Sequence, residues 1–242
     1  VLKREFAGCD AVVNLVGILN ESRRHTFERV HAELPAKVVQ ASRQAGVPRL
    51  LHMCALHASV DAPSEYLRSK ARGEKIVLDA AADLRVTSFR PSVIFGPRDS
   101  FTNRFATLLR LLPGVFPLAC AGARLQPVYV EDVARAFVLA LERHDTFGQR
   151  YNLCGPQVMT LQEAVEQIAA TLGLGRRILP LGDRLSRLQA GVLQFVPGKP
   201  FTPDNYRSLQ IASVCDGPFP ALFGIVPSRL EDILPLYITS DI

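Results

Sequence analysis

The 242-residue chain is short of several things, and each shortage excludes a class of protein. No apolar run reaches the length needed to cross a bilayer and no signal peptide opens it, so no membrane span or export is predicted. It carries no internal repeat and no low-complexity segment, which argues against a solenoid. No five basic residues are adjacent. Arg23, Arg24, Arg72, Arg135, Arg176 and Arg177 are dispersed, so a net charge of +5 argues against a nucleic-acid footprint and leaves room for an anionic ligand or an acidic membrane surface. Cysteine is sparse and odd in number. Cys9, Cys54, Cys120, Cys154 and Cys215 lie far apart, which predicts free thiols in a reducing, cytoplasmic setting rather than a disulfide framework or zinc site. Methionine is absent from the first position, where Val1 stands, and an upstream segment is expected.

What remains is a globular composition, 48% hydrophobic and 21% charged. Asp10 to Val16, a β-branched apolar run after Gly8, reads as a buried strand. Phe27 to Gln44 has helical spacing stopped by Gly46 and Pro48, and Pro35 should kink that helix or start its second part. Leu50 to Cys54 reads as the next strand. A helix N-capped by Ser64 and a strand over Val86 to Phe89 follow. Alternating strands and helices predict an α/β fold with a doubly wound parallel sheet. Later elements are predicted at Phe101 to Leu112, Val128 to Val130, Glu131 to Arg143 and Tyr151 to Cys154, with a Thr160–Glu163 capping box before a helix to Leu172. From Arg176 the chain reads as a small C-terminal lobe with helical patches such as Arg184 to Phe195. The expected division is 1–97 with 128–155 as the dinucleotide-binding core, and 98–127 with 156–242 as a smaller substrate or partner lobe.

The most informative segment is SEYLRSKARGEK, which sets Tyr66 four residues before Lys70 on one helix face. A cation there favours the phenolate, so the spacing predicts a lowered tyrosine pKa and a usable proton donor and acceptor. Such pairs are common on solvated helices, and place in the fold has to decide. Ligands of parallel sheets bind beyond the carboxyl ends of the strands, here Val16–Gly17, Cys54–His57 and Pro91–Val93, and Tyr66 follows the second of these. His31, His52 and His57 have no carboxylate or cysteine at ligand spacing, so they read as structural and no metal site is predicted.

The order of DAVVNLVG, AGVPRLLHMCAL, YLRSKARGE, FRPSVIFGP and QPVYVEDVARA resembles the extended, atypical branch of the short-chain dehydrogenase/reductase superfamily. More narrowly, it is similar to the NAD(P)H-binding accessory subunit of mitochondrial complex I and its bacterial relatives. The likeness runs from Phe6 to about Leu141, weakens after Tyr151 and returns in TPDNYRSLQ. It implies a Rossmann-like fold, NAD or NADP as cofactor, and contacts from Leu15, Val16, Gly17, Tyr66, Lys70, Pro91, Ser92 and Val93. Tyr66 and Lys70 would be the catalytic pair if the protein turns over. The resemblance also implies a protein partner, or a peripheral contact with the inner membrane and its quinone.

Two departures stand out. The glycine-rich phosphate turn of the superfamily does not occur before Asp10, so two βα units and a strand, about 60 to 70 residues, are expected to be missing upstream, leaving the Asp10 strand an open hydrophobic edge prone to aggregation. Leu56 stands at or near the place of the serine or threonine that binds the substrate oxygen, with Ser59 as a substitute only if its loop folds back. A binding protein with weak or no catalysis is therefore expected, against the alternative of an active oxidoreductase or nucleotide-sugar epimerase/dehydratase.

Overall fold

The computed structural model describes residues 1–238. The chain opens with α1 (Leu2–Phe6), β1 (Ala11–Asn14), a π-helical turn (Arg29–Glu33), α2 (Leu34–Ala45), β2 (Arg49–Met53), α3 (Glu65–Asp79) and β3 (Arg85–Pro91). Next come β4 (Ile94–Phe95), α4 (Thr102–Leu111), β5 (Val115–Leu118), β6 (Arg124–Leu125), β7 (Val128–Tyr129) and α5 (Val130–Ala140). The rest comprises β8 (Gln149–Leu153), β9 (Met159–Thr160), α6 (Leu161–Thr171), β10 (Arg177–Pro180), α7 (Asp183–Leu193), α8 (Pro203–Ser208) and α9 (Leu230–Ile233). Two compact units result: Val1–Pro91 with Arg135–Asn152, and Ser92–Ala134 with the chain from Leu153 onward.

The first unit is the α/β sheet that alternating strands and helices predict. Its strand order is β1-β2-β3-β8, with β1 and β3 both parallel to β2. Val12, Leu50 and Val86 stand in register across three strands and pack with Val38, Val39 and Val77 from the covering helices. Ser64 caps α3 by accepting the Leu67 N–H at 3.3 Å.

The predicted helix over Phe27 to Gln44 is interrupted, and the reason is Pro35. Proline has no N–H to give the carbonyl four residues back, that of His31, so the chain runs as a π-helical turn and restarts as α2. Gly73 of α3 fills the space beside that carbonyl. A Cβ on it would lie 1.8 Å from the His31 oxygen, so two backbones meet where no side chain fits.

In the second unit α4 and α6 pack Leu109, Val165 and Ile168 against Phe95, Phe116 and Leu234. The capping box is formed: Thr160 Oγ1 accepts the Glu163 N–H at 3.1 Å, and Glu163 accepts the Thr160 N–H at 2.6 Å. The cysteine expectation fails here, because Cys154 and Cys215 are disulfide-bonded across 61 residues. Gln126 aligns them: its Nε2 donates to the Gly155 carbonyl at 2.7 Å, and its Oε1 accepts the Cys215 N–H at 2.9 Å. Linear spacing carries no trace of that bridge. Among the described residues no helix is long and apolar enough to cross a membrane.

Candidate functional site

The candidate site lies at the carboxyl ends of β1 and β2. Beyond β1, Leu15, Val16 and Gly17 are exposed, and the Val16 N–H is turned back to the Asn14 Oδ1 at 3.2 Å. Lys70 comes to them from α3. The residue is 5% exposed; its ammonium donates to the Met53 carbonyl at 3.1 Å and stands so close to Gly17 that a Cβ there would be 3.1 Å from Nζ. Burial lowers the Lys70 pKa.

Tyr66 corrects the expectation drawn from its spacing. Its phenol is pushed up, first by burial and then by neighbouring Cys54. The ammonium that was to lower it is itself buried and directed to a backbone carbonyl. At neutral pH Tyr66 is a proton donor and a poor base.

Sequence reasoning missed the support beneath this pair. His31 stacks on Phe27 at 5.4 Å and meets the Tyr66 ring edge-on at 5.5 Å. The Ile18 N–H donates to its Nε2 at 3.0 Å, so the proton sits on Nδ1, which donates to Ser69 Oγ at 2.9 Å. Ser69 in turn donates to the Tyr66 carbonyl at 2.8 Å. Burial first, and Lys70 second, hold His31 neutral, with its pKa lowered to about 3. His52 is fixed in the same way by Asn14, whose Nδ2 donates to its Nδ1 at 3.1 Å. The detectable signal was the run Ser69, Lys70, Gly73, Glu74, which places small and polar residues on the buried stripe of a helix.

After β2 the chain continues its pairing with β3: the Cys54 N–H donates to the Phe89 carbonyl at 2.7 Å and the Leu56 N–H to the Pro91 carbonyl at 3.0 Å. Leu56 is buried and brings no polar side-chain atom. Cys54 is inert, its thiol pushed up to about 12 by burial and donated to the Lys70 carbonyl at 3.5 Å. Ser59 does not fold back. It is exposed, accepts the Asp61 N–H at 3.3 Å, and lines a cleft of about 280 Å³ with Glu74, Arg90 and Arg150. In that cleft the buried Glu74 carboxylate binds Arg90 and accepts from Ser88 at 2.7 Å, and these partners hold its pKa down against burial.

The structure therefore brings Gly17, Tyr66 and Lys70 together, with Pro91 buried at the end of β3 in the same unit. Ser92 and Val93 belong to the second unit. There the Ser92 hydroxyl donates to the Ser213 carbonyl at 2.8 Å, and Val93 packs against the core of α4 and α6.

Residues 1–154 match the family described as NAD dependent epimerase/dehydratase. The chain belongs to that family. A mouse relative, "NADH dehydrogenase [ubiquinone] 1 alpha subcomplex subunit 9, mitochondrial", is 34% identical over 238 residues, covering 95% of this chain and 61% of its own length. Its Arabidopsis thaliana namesake is 32% identical over 82% of this chain and 49% of that one. The chain thus spans about three fifths or less of the curated relatives it matches. Among solved structures, a nucleoside-diphosphate-sugar epimerase from Staphylococcus aureus superposes with a TM-score of 0.73 at 15% identity, over 97% of this chain and 79% of that one. An NADPH-dependent quinone oxidoreductase of Escherichia coli, complexed with NADPH, gives 0.72 at 17% identity over 96% and 77%. These likenesses establish the Rossmann-like α/β fold.

Proposed function

We propose that this chain is part of a nicotinamide-dinucleotide-binding protein with weak or no catalysis, related in role to the complex I accessory subunit whose name its relatives carry. The observation that carries this reading is the Lys70 ammonium. It is buried at the strand ends beside a glycine and, among the described residues, pairs with no carboxylate and gives one hydrogen bond, to Met53. A buried cation with donors to spare fits the hydroxyls of a ribose, and the bare Gly17 backbone lets a ligand approach. Lys70, Tyr66 and the Leu15–Gly17 turn would hold the dinucleotide, with Pro91 bordering it. The roles of Ser92 and Val93 rest on the sequence resemblance alone. When bound, the dinucleotide supplies hydride chemistry at its nicotinamide ring. This chain's own residues offer little to drive it, since Leu56 has no hydroxyl for a developing oxyanion and Tyr66 holds its proton. We place the protein on the cytoplasmic side, at the periphery of the inner membrane, with a protein partner there.

Fluorescence titration of the protein at its full genomic length with NADH and NADPH tests the reading. Saturable binding is expected, with Lys70→Met weakening it about tenfold, the equivalent of one charge-assisted hydrogen bond. Tyr66→Phe removes one hydroxyl from the site and should weaken binding less than Lys70→Met does, leaving any slow turnover of the bound dinucleotide unchanged. Turnover that Tyr66→Phe abolishes would establish the oxidoreductase or epimerase alternative, and absence of dinucleotide binding would refute both.

A further inference from the structure

Helix α7 carries its apolar residues on the outside. It turns the small residues Ser186 and Ala190 inward, while Leu185, Leu188 and Val192 are exposed, Leu188 by 62%. The steps of three and four residues keep those three on one face. Beyond the helix, Phe195, at 83% exposed, and Val196 extend the stripe.

The stretch of chain that carries the stripe is also rich in positive charge. Between Arg176 and Arg207 lie six basic residues, Arg176, Arg177, Arg184, Arg187, Lys199 and Arg207, against only Asp183 and Asp204, so this stretch holds a net +4 of the chain's +5. Asp183 is engaged by Arg187 at 3.0 Å and by the Tyr206 hydroxyl, and Asp204 lies 3.9 Å from Arg207, which leaves the excess charge on the other basic residues of the stretch.

A cleft of about 390 Å³ beside the stripe is lined by Arg187, Ala190, Pro203, Tyr206 and Arg207. Arg187 is held there, donating to the Tyr206 hydroxyl at 3.0 Å with its guanidinium 5.5 Å from the ring centre. The returning TPDNYRSLQ segment builds this wall: Thr202 caps α8 by accepting the Asn205 N–H at 3.2 Å, which sets Tyr206 and Arg207 on successive positions of the first turns.

We propose that α7, the Phe195 turn and the α7–α8 cleft dock on an anionic lipid bilayer. The apolar stripe enters the boundary between headgroups and acyl chains, and the net positive charge of the Arg176–Arg207 stretch attracts the anionic headgroups above it. A helix that shows large apolar side chains outward, with cations beside and beyond them, matches a fluid surface that is apolar beneath and anionic on top. The proposal deepens the membrane-peripheral part of the reading above, rests on it, and is independent of the dinucleotide.

Co-sedimentation of the protein with vesicles of phosphatidylcholine alone, and of phosphatidylcholine mixed with phosphatidylglycerol, tests it. The protein is expected to pellet with the mixed vesicles, to stay in solution with the neutral ones, and to be released by raised salt. The pair Leu188→Glu and Phe195→Glu should lower the partition at least roughly tenfold. Arg184→Gln and Arg207→Gln should each lower it roughly fivefold. All four side chains are exposed, and an unchanged thermal midpoint confirms that the variants fold. Failure to pellet with either vesicle overturns the proposal, as does binding that the glutamate pair leaves intact. A dimer in solution that the glutamate pair dissolves also overturns it, by assigning the face to a second copy. NADH titration of the same samples is expected to be unaffected, so failure of the lipid reading and failure of the dinucleotide reading give different results.

Discussion

His31 and His52 are neutral because of what faces them. Each has one ring nitrogen accepting from a donor that cannot turn away, the Ile18 N–H and the Asn14 amide, so a second proton would meet a donor head-on. Burial and the Lys70 ammonium add to this, and both pKa values are lowered to about 3 from 6.5. The unfolded chain therefore binds protons first as pH falls. Stability is full above about pH 6.5 and declines by about 1.4 kcal/mol per pH unit per histidine until pH approaches 3. Urea midpoints between pH 7 and pH 4 should show that slope, and His52→Gln should remove one histidine's share. A slope unaltered by the substitution would show that His52 titrates as freely folded as unfolded. At this scale the sequence made Tyr66 and Lys70 visible as a candidate pair, with the apolar Leu56 where the resemblance expects a hydroxyl. It could not show the direction of the Tyr66 shift, because burial is a property of the packed helix and outweighs the i,i+4 neighbour.

Helix α3 is read best through its contact with the π-helical turn. Pro35 removes one backbone donor, the His31 carbonyl is left facing outward, and Gly73 admits it. Gly73→Ala improves helix propensity but would force a Cβ to 1.8 Å from that oxygen, so a net loss of about 3 kcal/mol is expected, against a gain of about 1 if propensity ruled. Chemical denaturation decides the sign. Another device at this scale is Arg49, at the start of β2. Its guanidinium reaches the Ala140 and Leu141 carbonyls at the end of α5, the Arg85 carbonyl, and the Thr87 and Thr146 hydroxyls, at 2.6 to 3.2 Å. It neutralises the carbonyl end of a helix and, among the described residues, has no carboxylate partner. Strand and helix identities were legible from period and caps, as at Ser64 and Thr160. The interruption at Pro35 was legible as a position and not as a geometry, since the partner that tolerates it, Gly73, is 38 residues away.

Over the whole molecule, the Cys154–Cys215 bridge is the feature that composition misread. It closes a loop of about sixty residues, for which chain entropy gives an upper value of ~4 kcal/mol. Cys215→Ser is expected to lower the unfolding free energy of the oxidised protein by about 2 to 4 kcal/mol, on the order typical of native disulfides. Wild type in reductant should fall to the same level, and equal midpoints in both redox states would show that the bridge adds nothing to stability. By itself the sequence determined what repeats locally: the alternation of strand and helix, the helix caps, the Tyr66–Lys70 spacing and the absent hydroxyl at Leu56. Each depends on residues within a few positions of one another, where backbone geometry fixes the outcome. Only the tertiary structure decided which groups share a low-dielectric pocket and which face water. The neutral His31 beside Tyr66, the Glu74–Arg90 pair, the bridge aligned by Gln126 and the outward apolar face of α7 all join or expose residues by packing, and packing is set by the folded chain as a whole.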